Sequence, residues 1–185
     1  MKKTKTVERE LLMDFQKPVI ELIKTRRSCR TYNGMPVEGQ TLKNLEDYIA
    51  EINGKAIIKA RFALTTNQMS EGQKAMKLGT YGIISGAPSF IVGFLDKDEK
   101  KVPEFGYLFE KIVLFATDLG LQTCWLGGTF KQSDFQQNTL LRENEFIPIV
   151  SPVGTQKEKP RLIETAMRTV AGSDKRKPWQ ELFFA

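Results

Sequence analysis

Four residues near the beginning of the chain have the types and spacing that a phosphate site needs. Arg26, Arg27, Ser28 and Arg30 place guanidinium groups and a hydroxyl within five residues. Such groups bind a phosphate through charge-assisted, fork-shaped hydrogen bonds. In the alternative interpretation, the basic residues only complement the negative end of a helix predicted at 18–27. The segment by itself favours neither interpretation.

A glycine pair and a second basic run could also form part of a functional site. Residues 123–130 read Thr-Cys-Trp-Leu-Gly-Gly-Thr-Phe, so that a buried strand is predicted to open into Gly127 and Gly128. Glycines there let a ligand approach backbone N–H groups closely. Residues 174–177 read Asp-Lys-Arg-Lys. Taken alone, the glycine pair is typical of a turn, and the basic run is typical of a solvated surface.

The amino-acid composition excludes several kinds of catalytic site. The chain has no histidine, and its two cysteines, Cys29 and Cys124, are far apart in the sequence and outside any Cys-x-x-Cys motif. A conventional zinc site and the pairing of serine or cysteine with histidine are therefore excluded. If the chain is an enzyme, we expect a cofactor to carry the chemistry.

The candidate residues lie between predicted helices and strands that alternate along the chain. Apolar periodicity and end signals predict helices at 18–27, at 41–53 with Thr41 as N-cap and Asn53-Gly54 as stop, at 104–119, in a short segment capped by Ser133, and at 159–168 with Pro160 near its start. Strands are predicted at 61–66, 89–95, 121–126 and 146–150, a polar loop at 67–72 and a solvated turn at 96–101. This alternation indicates an α/β or α+β layered domain.

Length and charge limit the remaining function classes. With 185 residues, 41% apolar and 27% charged, the chain is predicted to form one domain over 1–185, with an N-terminal extension at 1–15. The net charge is +6, but the basic clusters lack interleaved aromatic residues and any nucleic-acid motif, which favours a small phosphate-bearing ligand. No apolar run reaches membrane-spanning length and no apolar signal segment follows the basic N-terminus, so we expect a cytoplasmic protein without a membrane partner.

Five motifs occur in an order that resembles a known family. They are Arg-Arg-Ser-x-Arg-x-Tyr (26–32), Ser-Gly-Ala-Pro-Ser-Phe-Ile-Val (85–92), Leu-Gly-Leu-Gln-Thr-Cys-Trp-Leu-Gly-Gly (119–128), the strand 148–154 and Arg-Lys-Pro (176–178). Together they resemble the nitroreductase superfamily of FMN enzymes over about residues 18–184. Leu-Gly-Thr-Tyr-Gly (78–82) and Gly-Tyr-Leu-Phe-Glu (106–110) are similar to its "putative TM nitroreductase" subgroup.

The resemblance implies a fold and a site. The implied fold is α+β, a mixed and mainly antiparallel sheet surrounded by helices, in an intertwined homodimer with FMN at the subunit interface. Carried over by position, Arg26, Arg27 and Ser28 hold the FMN phosphate and ribityl chain, and Arg30 lies near the N1–C2=O edge of the flavin. The remaining cofactor residues are the ring wall of Trp125, Leu126, Gly127 and Gly128 and the phosphate contacts of Lys175 and Arg176.

The implied activity is transfer of hydride from NAD(P)H through the flavin to nitro, quinone or related small-molecule acceptors. Hydride arriving at flavin N5 leaves negative charge at N1–C2=O, and a cation beside that edge stabilises the reduced cofactor. Arg30 is therefore the residue expected to support catalysis, and no side chain need act as a nucleophile.

One departure from the family leaves two alternatives open. The Ala-Pro-Ser-x-x-Asn-x-Gln-Pro-Trp motif that the family usually carries is absent from this sequence, so the chain is expected to be a shortened form. Asn67, Lys74 and Lys77 are candidates for substitute polar contacts. The alternatives are a flavin-binding protein without robust turnover and a basic module that binds nucleotides or nucleic acid.

Overall fold

In the part of the chain that the structure describes, two helices and two strands come first, and helices and strands then alternate. The computed structural model describes residues 15–66, 80–139, 141–159 and 161–170, with positions 178 and 181. Its helices are α1 (Val19–Thr25), α2 (Gly39–Lys55), α3 (Val102–Asp118), α4 (Gln132–Asn138) and α5 (Leu162–Val170). Its strands are β1 (Ala60–Thr66), β2 (Ser89–Asp96), β3 (Gln122–Thr123) and β4 (Glu145–Gly154). Within these ranges, no helix has the length and apolar character needed to span a membrane.

The strands form one antiparallel sheet in the order β1-β2-β4-β3. β1 pairs with β2 along its whole length. β2 also pairs with β4, with a shift of register between Gly93 and Leu95. The strands predicted at 61–66 and 89–95 are confirmed to within one residue, whereas the strand predicted at 146–150 extends further, to Gly154.

The strand predicted at 121–126 is interrupted, and this part of the prediction was wrong. β3 has only two residues, and pairing with β4 resumes at an isolated bridge formed by Leu126. In between, the Cys124 N–H donates to the Ser151 hydroxyl oxygen at 3.1 Å instead of to a backbone carbonyl. Pro152 of β4, which has no amide hydrogen, lies opposite this interruption, so the ladder cannot run through without a gap.

One face of the sheet packs against α2 and α3. The stripes predicted on both helices are confirmed, because their apolar side chains are buried or partly buried in this cluster. The Tyr48 and Phe115 rings stack between the two helices, with centroids 3.9 Å apart. Phe62 of β1 stacks on Phe105 of α3, with centroids 5.3 Å apart. These contacts fix α3 across the sheet, and the middle of α3 lies near Trp125, in the segment that follows β3.

The second face of the sheet carries its own apolar cluster. Ile91 and Leu95 of β2 belong to the first cluster, whereas Phe90, Val92 and Phe94 belong to the second, which also includes residues of the 28–33 segment and of α4. A strand covered on both faces needs apolar side chains in both directions. This explains the uninterrupted apolar run of β2.

An extended segment at 28–33 crosses the end of the sheet and joins three parts of the chain. The Cys29 N–H donates to the carbonyl of Thr123, and the Tyr32 N–H donates to that of Ser85. Ser28 and Thr123 form a parallel bridge, which makes the pairing mixed. The chain passes so close here that a Cβ on Gly86, whose φ is +72°, would lie 2.4 Å from the Tyr32 carbonyl oxygen. Only glycine fits that position.

The predicted starts of α2, α3, α4 and α5 were wrong. α3 begins at Val102, two residues before the predicted 104. α2 begins at Gly39, two residues before Thr41, because the φ of +60° at Gly39 turns the chain into the helix there. α4 begins at Gln132, so Ser133 lies inside the first turn and is not the cap. α5 begins at Leu162, later than the predicted 159, because the backbone N–H of Arg161 donates to the Thr31 hydroxyl.

Two helix ends also differ from the prediction. α1 ends at Thr25, so that Arg26 is its C-cap residue and Arg27 lies beyond the helix. α2 continues through Asn53 to Lys55. The Asn53 amide donates to the Phe62 carbonyl and accepts from the Phe62 N–H, both at 2.8 Å. Asn53 therefore ties α2 to β1 and does not terminate the helix. The predicted loop at 67–72 lies outside the described residues.

Candidate functional site

A cleft opens where the 28–33 segment, the loop after β3 and α5 meet. Its volume is about 640 Å³, within the range of small-molecule and cofactor sites. The lining residues are Arg30, Ile83, Trp125, Leu126, Gly127, Gly128, Thr129, Ala166, Met167 and Val170. The structure thus brings Arg30 together with all four residues of the predicted ring wall, although about 95 positions separate them in the sequence.

Arg30 is the only charged residue that lines the cleft among the described residues. Its backbone is held in place on both sides, because its carbonyl accepts from the Ser85 N–H at 3.0 Å and its N–H donates to Glu164 Oε1 at 3.2 Å. No hydrogen bond or ion pair to its guanidinium occurs within the described ranges. A half-buried guanidinium that has no hydrogen-bond or ion-pair partner among the described residues, and that faces a mostly apolar cleft, suits an anionic or strongly polar ligand.

The glycine pair gives the cleft an open stretch of backbone. Both Gly127 and Gly128 are exposed, and a Cβ built on either of them would meet no heavy atom within 4 Å. Just before them, Leu126 is anchored to Val150 of β4 by backbone hydrogen bonds of 2.9 and 3.1 Å. An anchored strand end followed by two residues without side chains allows a flat ligand to approach the backbone.

Trp125 forms a fixed wall of the cleft. Its indole N–H donates to Glu110 Oε2 of α3 at 2.8 Å. Its ring packs edge-on against Phe109, with centroids 4.9 Å apart, and the side chain is 37% exposed. Because both the polar and the apolar part of the indole are engaged by α3, the ring orientation is set before any ligand binds.

The same glutamate also contacts the predicted phosphate segment. Arg26 Nε lies 3.5 Å from Glu110 Oε1, and Arg26 Nη1 is buried without a hydrogen-bond partner in the described part of the chain. Burial raises the pKa of the Glu110 carboxyl, while the charge of Arg26 and the hydrogen bond from Trp125 partly offset that rise. Glu110 therefore joins Arg26 to the ring wall, and one guanidinium nitrogen remains available to a further acceptor.

The other predicted phosphate residues occupy different surroundings. Arg27 is exposed, and the Ser28 side chain hydrogen-bonds the thiol of Cys124. Neither Arg26, Arg27 nor Ser28 lines the cleft. Lys175 and Arg176 lie outside the described residues.

Several residues that line or support the cleft were not identified from the sequence. In the sequence, Glu110 stands out only as the last residue of the motif at 106–110. Its two partners, Arg26 and Trp125, come from distant segments. Ala166, Met167 and Val170 lie at helical spacing on one side of α5. That spacing was the available signal, but an amphipathic helix is more often a packing element than a site wall.

The described architecture and the cleft define the class of protein. The antiparallel sheet with surrounding helices is the nitroreductase fold, since solved structures with this fold match nearly the whole chain. A family model described as "Putative TM nitroreductase" matches residues 18–184. The chain therefore belongs to this nitroreductase family. A search of curated proteins found no match.

Three solved structures illustrate the similarity. A nitroreductase family protein from Clostridium difficile 630 has a TM-score of 0.63 and 21% identity, over 91% of this chain and 97% of that one. A "putative nitroreductase in complex with fmn" from Desulfovibrio desulfuricans has a TM-score of 0.61 and 20% identity, over 92% and 97%. An FMN and NADPH-dependent nitroreductase from Sphigopyxis sp. strain HMH has a TM-score of 0.58 and 13% identity, over 78% and 90%.

Proposed function

We propose that the protein is an FMN-dependent oxidoreductase that passes hydride equivalents from NAD(P)H to nitro, quinone or related small-molecule acceptors. The observation that carries the proposal is the Arg30 guanidinium, unpaired within the described ranges, in a cleft beside the open backbone of Gly127 and Gly128. This arrangement offers a cation, a flat apolar wall and accessible peptide groups to one ligand. A flavin ring uses all three.

The residues present fit the parts of FMN. A phosphate group needs hydrogen-bond donors, and the buried Nη1 of Arg26 is a donor without a partner in the described residues. A flat aromatic ring needs apolar surfaces, which Ile83, Trp125 and Met167 supply. Arg27 is exposed at the same end of the 28–33 segment and would add a second cation for the phosphate.

The chain's own residues would act mainly by binding and by electrostatics. Bound FMN supplies the two-electron chemistry that the side chains of this histidine-free chain lack. Arg30 would place a positive charge at the ring edge where negative charge increases on reduction. Trp125 would keep its orientation throughout, since Glu110 and Phe109 hold it.

Two of the similar structures support the choice of cofactor and reductant. The Desulfovibrio desulfuricans protein is described in complex with FMN, and the Sphigopyxis protein is described as FMN and NADPH-dependent. At identities of 20% and 13%, the similarity shows only that the folds are alike. Use of FMN and NAD(P)H by this chain is therefore proposed.

We further propose that the protein acts as a homodimer. Val19 and Ile20 of α1 are 42% and 66% exposed, and Tyr107 of α3 is 60% exposed. α1 packs on α3, so these side chains belong to neighbouring helices. Large apolar side chains exposed on adjacent helices support association with a second copy.

A visible spectrum followed by anaerobic reduction tests the proposal. The purified protein is expected to be yellow or to take up FMN, and addition of NADH or NADPH without oxygen is expected to bleach the flavin absorbance within one turnover. Flavin uptake without bleaching would indicate a flavin-binding protein that lacks turnover. Colourless protein that takes up no FMN but retards nucleic acid at moderate salt would contradict the proposal.

A further inference from the structure

A buried glutamate, Glu164, contacts the backbone of Arg30 from the side away from solvent. Glu164 of α5 is 1% exposed. Its Oε1 accepts the Arg30 N–H, whereas its Oε2 is buried and has no hydrogen-bond partner in the described part of the chain. Burying a carboxylate is costly unless it is paired and fully hydrogen-bonded. A carboxylate retained in this position therefore calls for a functional explanation.

None of the described groups around Glu164 neutralises its charge. Burial raises the pKa of the Cys29 thiol to about 11 and also raises that of the Cys124 thiol, and the charge of Glu164 contributes to both shifts. No ion pair to Glu164 occurs among the described residues. Arg161, which precedes α5, directs its guanidinium to the carbonyls at 82–83, at 3.1 and 2.6 Å.

Arg30 connects this buried charge to the cleft. Its backbone N–H is bound by Glu164, while its guanidinium lines the cleft and has no ion-pair partner in the described ranges. The contact fixes the main chain from which the guanidinium extends. It also brings a negative charge close to the residue that supplies the cleft with its positive charge.

We propose that Glu164 is a positioning residue that fixes the Arg30 backbone and moderates the positive charge that Arg30 offers to a bound anion. The inference rests on the proposed function for the identity of that ligand, FMN. Reduction adds negative charge to the ligand, so the Glu164 charge disfavours the reduced form relative to the oxidised form. Removal of that charge is therefore expected to move the midpoint potential of bound FMN to more positive values.

The test compares two buried carboxylates. Glu164→Gln removes the charge and keeps the shape, and Asp118→Asn makes the same change at the end of α3, where Asp118 is 6% exposed and accepts the Gln16 N–H. We expect Glu164→Gln to tighten binding of reduced FMN relative to oxidised FMN by roughly tenfold, as for one charge in a partly buried site. Asp118→Asn is expected to leave this ratio unchanged, even if both variants unfold at lower temperature.

A measurement without FMN separates this inference from the proposed function. In the apoprotein, the Arg30 amide is expected to exchange with solvent about fivefold faster in Glu164→Gln, because a neutral acceptor replaces a charged one. If the wild-type protein did not bind FMN, the proposed function would be contradicted. Exchange of the Arg30 amide would still test the contact between Glu164 and Arg30. Unchanged exchange, or an unchanged or more negative potential of bound FMN, would overturn the role of Glu164.

A second variant covers the case in which Glu164→Gln does not fold. Glu164→Asp keeps the charge but shortens the reach to the Arg30 N–H. It is expected to speed Arg30 exchange while the potential of bound FMN stays near the wild-type value. A shifted potential combined with unchanged exchange would contradict the proposal.

Discussion

Arg30 and Glu110 contribute to the cleft in different ways. Arg30 supplies a charge that no described protein group neutralises, held on a backbone fixed from both sides. Glu110 does not line the cleft, but its two carboxylate oxygens engage Arg26 and Trp125. In the proposed function, Arg30 would act on the ligand directly, whereas Glu110 holds Arg26 and Trp125 in place.

Replacing Arg30 tests its electrostatic role. Arg30→Ala is expected to slow reduction of bound FMN by NAD(P)H about 100-fold, as removal of one preorganised donor does in other sites. FMN affinity is expected to fall by less, about tenfold, because the phosphate contacts proposed for Arg26 and Arg27 would remain. Stopped-flow reduction and fluorescence titration measure the two effects. Arg142→Ala, at a side chain that is 76% exposed, is the control, and equal losses in both measurements would argue against this role.

Glu110 is expected to make stability depend on pH. Because burial raises the pKa of its carboxyl above the ordinary 4.5, the folded protein holds this proton more tightly than the unfolded chain. This carboxyl contributes to stability at pH values below its pKa in the unfolded chain, and the contribution is lost as pH rises through its pKa in the folded protein. Glu110→Gln does not titrate, so its stability relative to wild type is expected to increase from pH about 4 to about 7. Urea unfolding measures the free energy of unfolding of both proteins across this range. A difference between them that does not change with pH would show that the interpretation is wrong.

Local patterns explain which site residues the sequence could predict. Arg30, Gly127 and Gly128 stand in a basic run and a glycine pair, and both patterns are visible within a few residues. Glu110 and Glu164 are ordinary acidic residues of helices in the sequence. Their importance arises only from contacts with distant segments, which no local pattern contains.

Where β2 packs against α3, residue 93 of β2 is a glycine and so has no side chain. A Cβ on Gly93 would lie 2.6 Å from Phe105 Cζ and 3.3 Å from Ile149 Cγ2. Gly93→Ala is therefore expected to destabilise the fold by about 1–3 kcal/mol through overpacking. Gly106→Ala, in the middle of α3 with nothing within 4 Å of its Cβ, is the control and is expected to stabilise by about 0.5–1 kcal/mol. Thermal and urea unfolding compare the two variants, and a neutral Gly93→Ala would contradict this account.

Periodicity predicted the elements better than end signals did. The stripes of α2 and α3 and the apolar run of β2 were predicted correctly, because burial imposes a repeat over many residues. Thr41 and Ser133 were predicted as caps and are not, since a positive φ at Gly39 and an earlier start of α4 moved the boundaries. The interruption of the strand at 121–126 depends on Ser151 and Pro152 of a different strand, which sequence near Cys124 does not reveal.

At the scale of the whole molecule, the proposed dimer gives α1 a role beyond supporting Arg26. Ile20→Glu is expected to produce a monomer, because a buried charge would oppose association. Ile57→Glu is the control, since Ile57 is 82% exposed in the connection between α2 and β1. Sedimentation at matched concentrations measures the result. A dimeric Ile20→Glu, or a wild-type monomer, would contradict the proposed use of this surface.

The thiols of Cys29, within the 28–33 segment, and of Cys124, just after β3, can report on separation of that segment from β3. Cys29 and Cys124 are 2% and 1% exposed, and burial raises the pKa of the Cys29 thiol to about 11, so neither sulfur can react with a labelling reagent while the sheet end stays closed. The rate of alkylation therefore measures how often the 28–33 segment, which carries Arg30, separates from β3. A ligand that binds only the closed form of the cleft is expected to slow this alkylation.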